Sequence, residues 1–153
     1  MTLPSGGSLS MSAFNVEIQR SSTSQLSMSD GTLRSIAGIG SGQISFSNLY
    51  GKSYIIPYIS PSNVNDSGNG GLHDFTITAG TNSVTPSSWS WSVSSTGGTG
   101  NWTINSGQGT GTAGVRVAAT APQDTAYATV NVTMVVAGNT YNLSATLSWQ
   151  RNS

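Results

Sequence analysis

One apolar and polar phrase recurs three times in the first fifty residues: Leu9-Ser10-Met11-Ser12, Leu26-Ser27-Met28-Ser29 and Ile44-Ser45-Phe46-Ser47. The starts are 17 and 18 residues apart (26 − 9 and 44 − 26). Such alternation puts two apolar side chains on one face of a strand and two serines on the other. The first two phrases then run into helical patterns. Ser12 is expected to cap a turn holding Phe14, Val16 and Ile18, and Ser29 with Asp30 one holding Leu33, Ile36 and Ala37, which Gly38 stops. The expectation is a small α/β head over residues 1–52, built from three short strands and two small helices. Its apolar faces exceed what so short a segment buries alone, which points to docking.

From Tyr54 the period changes to two. Tyr54 to Ile59 leads. Phe75, Ile77 and Ala79 then alternate with threonines, and Trp89, Trp91 and Val93 with serines. Trp102 with Ile104, then Val115, Val117 and Ala119, continue the pattern. Val130, Val132, Met134 and Val136 form a sixth run, and Tyr141, Leu143, Ala145, Leu147 and Trp149 a seventh, separated by a tight turn at Gly138 and Asn139. This spacing predicts a seven-stranded antiparallel β-sandwich over residues 53–153. The chain is thus mainly β. A Trp on the third strand, and Asp124-Thr125-Ala126-Tyr127 entering the sixth, resemble the immunoglobulin pattern, in which such a Tyr makes a corner hydrogen bond. The paired cysteines of antibody domains are missing.

The composition narrows the function classes. Only 7% of the 153 residues are charged and the formal net charge is zero, so the surface is hydroxyl and amide. Without a basic patch, neither nucleic acid nor an anionic membrane is expected as a partner. Low charge repulsion between copies suits a protein that lives in an assembly. No cysteine is present, which removes thiolate metal sites and disulfides. The N-terminus carries no pattern of a secretion signal.

Candidate chemistry is sparse. His73 adjoins Asp74, but adjacent strand residues point to opposite faces, so the acid cannot orient the imidazole of a triad. Gly109 to Gly114 spells GxGxxG, yet the residues that follow, Val115-Arg116-Val117, are strand formers, where a dinucleotide site needs a helix. Asn63, Asn65, Asp66, Ser67 and Asn69, ahead of Gly70 and Gly71, read as an oxygen-rich solvated loop. One carboxylate there is too little charge for calcium. Trp89, Trp91, Trp102, Trp149 and Tyr127 are assigned to the core. No catalytic residue, cofactor or metal is expected.

The ordered landmarks of the head carry a resemblance. Leu3-Pro4-Ser5-Gly6, the three repeated phrases, Leu33-Arg34-Ser35-Ile36-Ala37-Gly38, and the closing Ile44 to Ser53 segment (ISFSNLYGKS) are similar to an N-terminal module recurrent in tailed-bacteriophage virion proteins. The resemblance covers about the first third of the chain. It implies a non-enzymatic structural component located in the virion, in a tail, tail-tip, baseplate or neck, whose partners are other virion proteins and further copies of itself. Docking is expected through Leu9, Met11, Leu26, Met28, Ile44, Phe46, Leu49 and Tyr50. Two alternatives stay open: a capsid decoration protein, or a host-glycan-binding module that uses sandwich loops such as residues 62–72 or 96–100.

Overall fold

The computed structural model describes residues 2–69, 71–107, 109–119, 121 and 124–152; Gly70, at the end of the oxygen-rich stretch, lies outside them. The chain divides into two compact units, Met1–Ile56 and Pro57–Ser153. Residues 53–56 therefore fall in the first unit, four residues beyond the boundary expected. The reason is local: Ser53 bridges to Thr2, and the Tyr54 amide donates to the Glu17 carboxylate at 2.8 Å.

The first unit contains α1 (Met11–Glu17), α2 (Gly31–Ala37) and a single 3-10 turn, Phe46–Asn48. The three expected strands are absent; among the described residues the unit's β pairing is the isolated Thr2–Ser53 bridge. Each repeated phrase is instead the entry to a helical turn. Ser10, two residues before the expected Ser12, caps α1 by accepting from the Ala13 amide and leaves Ser12 inside the helix; Asp30 caps α2 by accepting from the Thr32 amide, and Ser45 starts the 3-10 turn, donating from N–H and Oγ to Asn48 Oδ1. The serines of each phrase pair with one another, Ser10 with Ser12 at 2.8 Å, Ser27 with Ser29 at 2.7 Å and Ser45 with Ser47 at 2.7 Å. Ser and Asp compete with extended pairing by offering the backbone a local partner, and that competition decides these segments.

This unit also closes a core of its own. Phe14, Leu33 and Leu49 are fully buried, with Leu3, Ile18, Ile36 and Ile44 around them. Leu9, Met11, Leu26, Met28 and Tyr54 pack against that cluster while keeping part of their surface. The unit therefore buries part of the apolar faces itself, and the rest, Phe46 above all, stays open to solvent. Two buried polar residues of α1 replace a sheet as organisers of irregular backbone. Asn15 donates to the Ser24 carbonyl at 2.7 Å, and Glu17 receives Tyr54.

Among the described residues the second unit has eight strands, one more than expected: β1 (Pro57–Ser60), β2 (Asn63–Asn69), β3 (Leu72–Thr81), β4 (Ser88–Gly98), β5 (Asn101–Ser106), β6 (Thr112–Ala118), β7 (Thr125–Val136) and β8 (Asn139–Asn152). They form two four-stranded sheets, ordered β1-β3-β6-β5 and β2-β8-β7-β4. The additional strand is β2, the stretch expected to be a loop. It carries no alternating apolar signal, because its pairing comes from running parallel to the end of β8, from Thr146 to Asn152. The other pairings are antiparallel.

The two inner faces make the core. Phe75, Ile77, Ala113, Val115, Val117 and Trp102 come from the first sheet, and Trp91, Val130, Val132, Met134, Val136, Leu147 and Trp149 from the second. Phe75 and Trp102 pack at 5.7 Å between ring centroids, and the buried Trp91 indole donates to the Thr110 carbonyl at 2.9 Å. The β7–β8 hairpin turns through Ala137 and Gly138, both at positive φ (49° and 81°), with Val136 opposite Asn139. That is the primed turn that a two-residue hairpin requires.

Candidate functional site

The first unit is closed by its own sequence landmarks. The Leu3 amide donates to the Lys52 carbonyl at 2.8 Å and the Gly51 amide to the Pro4 carbonyl at 2.9 Å, while the Tyr50 hydroxyl reaches the Gly7 carbonyl. The opening Leu-Pro and the closing Tyr-Gly-Lys are thus one joint. Gly51 sits there at φ +67°, a conformation that glycine adopts without strain. Gly38, also left-handed, ends α2, and its amide and that of Ile39 return to Ser35 and Arg34.

Burial separates the eight docking candidates. Leu49 and Ile44 are interior residues of the unit, and Leu9, Met11, Leu26 and Met28 are half-buried on its core. Tyr50 is half-buried with its hydroxyl engaged. Phe46 is exposed at 42%, with its ring stacked on Phe14 at 5.5 Å. Val16, expected in the first helical turn with Phe14 and Ile18, is exposed at 43%. It borders an open groove of about 350 Å³ together with Leu3, Pro4, Ala13 and Glu17. Among the described residues, Phe46 and Val16 are therefore the unit's large apolar side chains most presented to solvent. The signal that identifies Val16 is its spacing: two residues from Phe14, it cannot share a helix face with it.

In the second unit, His73 lies on β3 with Asp66 of β2 at 3.0 Å from its Nε2, and its ring stacks on Trp149 at 5.7 Å. Asp74 points elsewhere, to Arg116, whose Nε and Nη2 donate to the two carboxylate oxygens at 2.8 and 3.0 Å. That bidentate hydrogen bonding holds the Asp74 carboxyl below its usual pKa and raises that of Arg116. Among the described residues no hydroxyl is hydrogen-bonded to the imidazole, and no cluster of His, Asp or Glu is arranged to hold a metal ion. The GxGxxG stretch runs directly into β6, so no helix N-terminus faces it.

Tyr127 departs from expectation. It is neither core nor corner: 47% exposed, it stands on the solvent face of β7, and its hydroxyl makes no hydrogen bond among the described residues. Parity explains this, because Ala126, Ala128, Val130, Val132 and Met134 take the inner positions of the same strand. The loop candidate at residues 62–72 is also revised, since most of it is β2 and Leu72 opens β3.

No family model matches the chain, and no curated protein matches it. Solved structures share features with it at low identity. Domains 4 and 5 of the S-layer protein SbsC align over 61% of this chain and 44% of that one, at 16% identity and a TM-score of 0.39. The PapD-like domain 7 of human CEP192 aligns over 63% of this chain and 86% of its own length, at 9% identity and a TM-score of 0.43. A Bacteroides ovatus xyloglucanase aligns over 64% of this chain and 19% of its own, at 18% identity and a TM-score of 0.40. The chain thus spans less than half of the S-layer structure.

Proposed function

We propose that the protein is a non-enzymatic structural component of a tailed-phage particle, placed in the tail, tail tip, baseplate or neck, and held there by its N-terminal unit. The second unit is an immunoglobulin-like sandwich that projects from, or packs within, the particle. The observation that carries this reading is the joint between Leu3-Pro4 and Gly51-Lys52. The landmarks shared with phage virion modules are the residues that close a self-sufficient unit, which is what a portable docking module needs. Phe46 and Val16 are the anchors on its surface. Burying a side chain of this size contributes roughly 1.5–3 kcal/mol per copy, and repetition around a symmetric assembly multiplies it.

The test is electron microscopy of purified particles labelled with an antibody against the full chain, alongside particles assembled with Phe46→Asp and Val16→Asp variants. Label at the tail or neck in wild type, lost in the variants, is the expected result. Label distributed over the head shell moves the protein to capsid decoration. Absence of the chain from purified particles removes the proposal.

A further inference from the structure

The outward face of the second sheet in the C-terminal unit is a registered grid of uncharged hydrogen-bonding side chains. Across β7, β8 and β2 the pairing aligns Thr125, Gln150 and Ser67 in one row, Tyr127, Ser148 and Asn65 in the next, and Thr129, Thr146 and Asn63 in a third. The rows are about 6.6 Å apart along the strands. On the far side β4 adds Ser90, Ser92 and Ser94, opposite Thr133, Asn131 and Thr129. No Asp, Glu, Lys or Arg occupies these outward positions; Asp66 and Arg151 have the opposite parity, and reach His73 and the Ala119 carbonyl.

Tyr127 is the one aromatic among these positions. Its cross-strand partner is Gly97, beside the register shift in β4, and a Cβ added there would meet Cδ2 of the Tyr127 ring at 3.5 Å. The glycine leaves the ring room, and the residue stays 47% exposed. Two open grooves meet at this ring. One of about 430 Å³ runs past Asn65, Ser67, Thr125, Ser148 and Gln150, with one carboxylate, the His73-paired Asp66, in its lining; the other, of about 330 Å³, runs past Asn63, Thr96 and Thr146. Ser148 Oγ donates to Asn65 Oδ1, which leaves the Asn65 amide hydrogens without an acceptor among the described residues.

We propose that this face binds a neutral polysaccharide chain, one sugar ring stacked on Tyr127 and its neighbours in the two flanking grooves. The chemistry selects this occupant. A hydroxyl-rich chain offers many weak donors and acceptors to match Asn, Ser, Thr and Gln, and its C–H faces suit an exposed aromatic ring. A protein partner would find one isolated aromatic and no apolar centre, and an anionic glycan would find no cation. The inference does not depend on the particle assignment.

Affinity electrophoresis of the full chain tests it, in gels cast with soluble β-glucan, galactomannan or dextran, with alginate as the anionic control. Retardation in at least one neutral gel and none in alginate is expected. Tyr127→Ala then weakens binding about tenfold through loss of the stacking contact. Tyr127→Phe keeps the ring and the affinity, and guards against reading a folding defect as a binding defect. Tyr58→Ala, an equally exposed tyrosine on the other sheet, leaves retardation unchanged. Migration unaffected by every neutral polysaccharide, equal retardation in alginate, or a Tyr127→Ala variant that binds like wild type each overturns the proposal.

Discussion

The two units solve the same backbone problem in opposite ways. The C-terminal unit satisfies its amides and carbonyls by strand pairing, so its polar side chains are released to the surface. The N-terminal unit has no sheet, and spends polar side chains on backbone: Ser10, Asp30 and Ser45 at helix entries, Asn15 and Glu17 from within the core. Serine-rich composition therefore means different things in the two halves of one chain. In the first it is internal scaffolding, and in the second it is an external, uncharged face.

Core size is where the contrast is sharpest. Phe14 is fully buried in a cluster whose other buried members are Leu3, Ile18, Leu33, Ile36, Ile44 and Leu49, with no sheet to absorb a void. Phe14→Ala costs about 3–5 kcal/mol, comparable to what a unit of this size commands. The expected outcome is selective proteolysis of residues 1–56 with residues 57–153 left intact, read by mass spectrometry. Val130→Ala in the sandwich removes less volume from a core braced by both sheets, and is expected to lower the melting temperature without exposing either unit to protease. Equal protease resistance of the Phe14→Ala variant breaks the comparison.

The legibility of the sequence follows the same division. Where an element was stabilised by its own alternation, as in Trp89-Trp91-Val93 or Val130 to Val136, the period located the strand. Where stabilisation came from a partner, it did not: β2 has polar residues on both faces, and exists because the end of β8 runs beside it. The repeated phrases mislead for a related reason. Apolar and serine alternation is compatible with a strand and with a cap, and the hydrogen bond from Ala13 to Ser10 is a local fact that periodicity does not encode. Tyr127 was readable, since Val130 to Val136 fix the parity of its strand. The two grooves beside it depend on registry with β8 and β2, which no single stretch of sequence contains.

Capping gives the next effect. If the serines are scaffolding in the first unit and surface in the second, Ser10→Ala removes the acceptor for the Ala13 amide and destabilises by about 1 kcal/mol. Ser92→Ala, outward on β4 and exposed, changes stability by less than about 0.5 kcal/mol. Chemical denaturation of both variants checks this, and similar costs at the two positions would remove the distinction.

Among the described residues each unit also holds one non-glycine residue at positive φ, Gln19 at 60° after α1 and Ala137 at 49° in the last hairpin. A left-handed conformation costs an ordinary residue about 1 kcal/mol. Gln19→Gly and Ala137→Asn relieve it, and each is expected to raise the unfolding free energy of its own unit by a few tenths of a kcal/mol net of chain entropy, read by chemical denaturation. Gains confined to one unit would show that the other turn is set by contacts beyond its own backbone.

The smallest expected effect is electrostatic, and it belongs to the N-terminal unit. Arg20 Nη1 donates to Asp30 Oδ2 at 2.9 Å, and this hydrogen bond is the main reason that the Asp30 carboxyl titrates below its usual value. A carboxyl whose pKa is lower folded than unfolded contributes its stability above the unfolded value, and loses it as pH falls through the folded one. The first unit should therefore weaken on acidification through and below the ordinary carboxylate range, while remaining insensitive between neutral pH and that range. Arg20 is 41% exposed on its side chain, so solvent screening holds the pair to a few tenths of a kcal/mol. Asp30→Asn isolates the charge, because Asn caps a helix about as well as Asp. The variant should keep α2 and flatten this part of the pH profile. An unchanged acid profile would show that the Arg20–Asp30 pair is not what makes the first unit sensitive to acid.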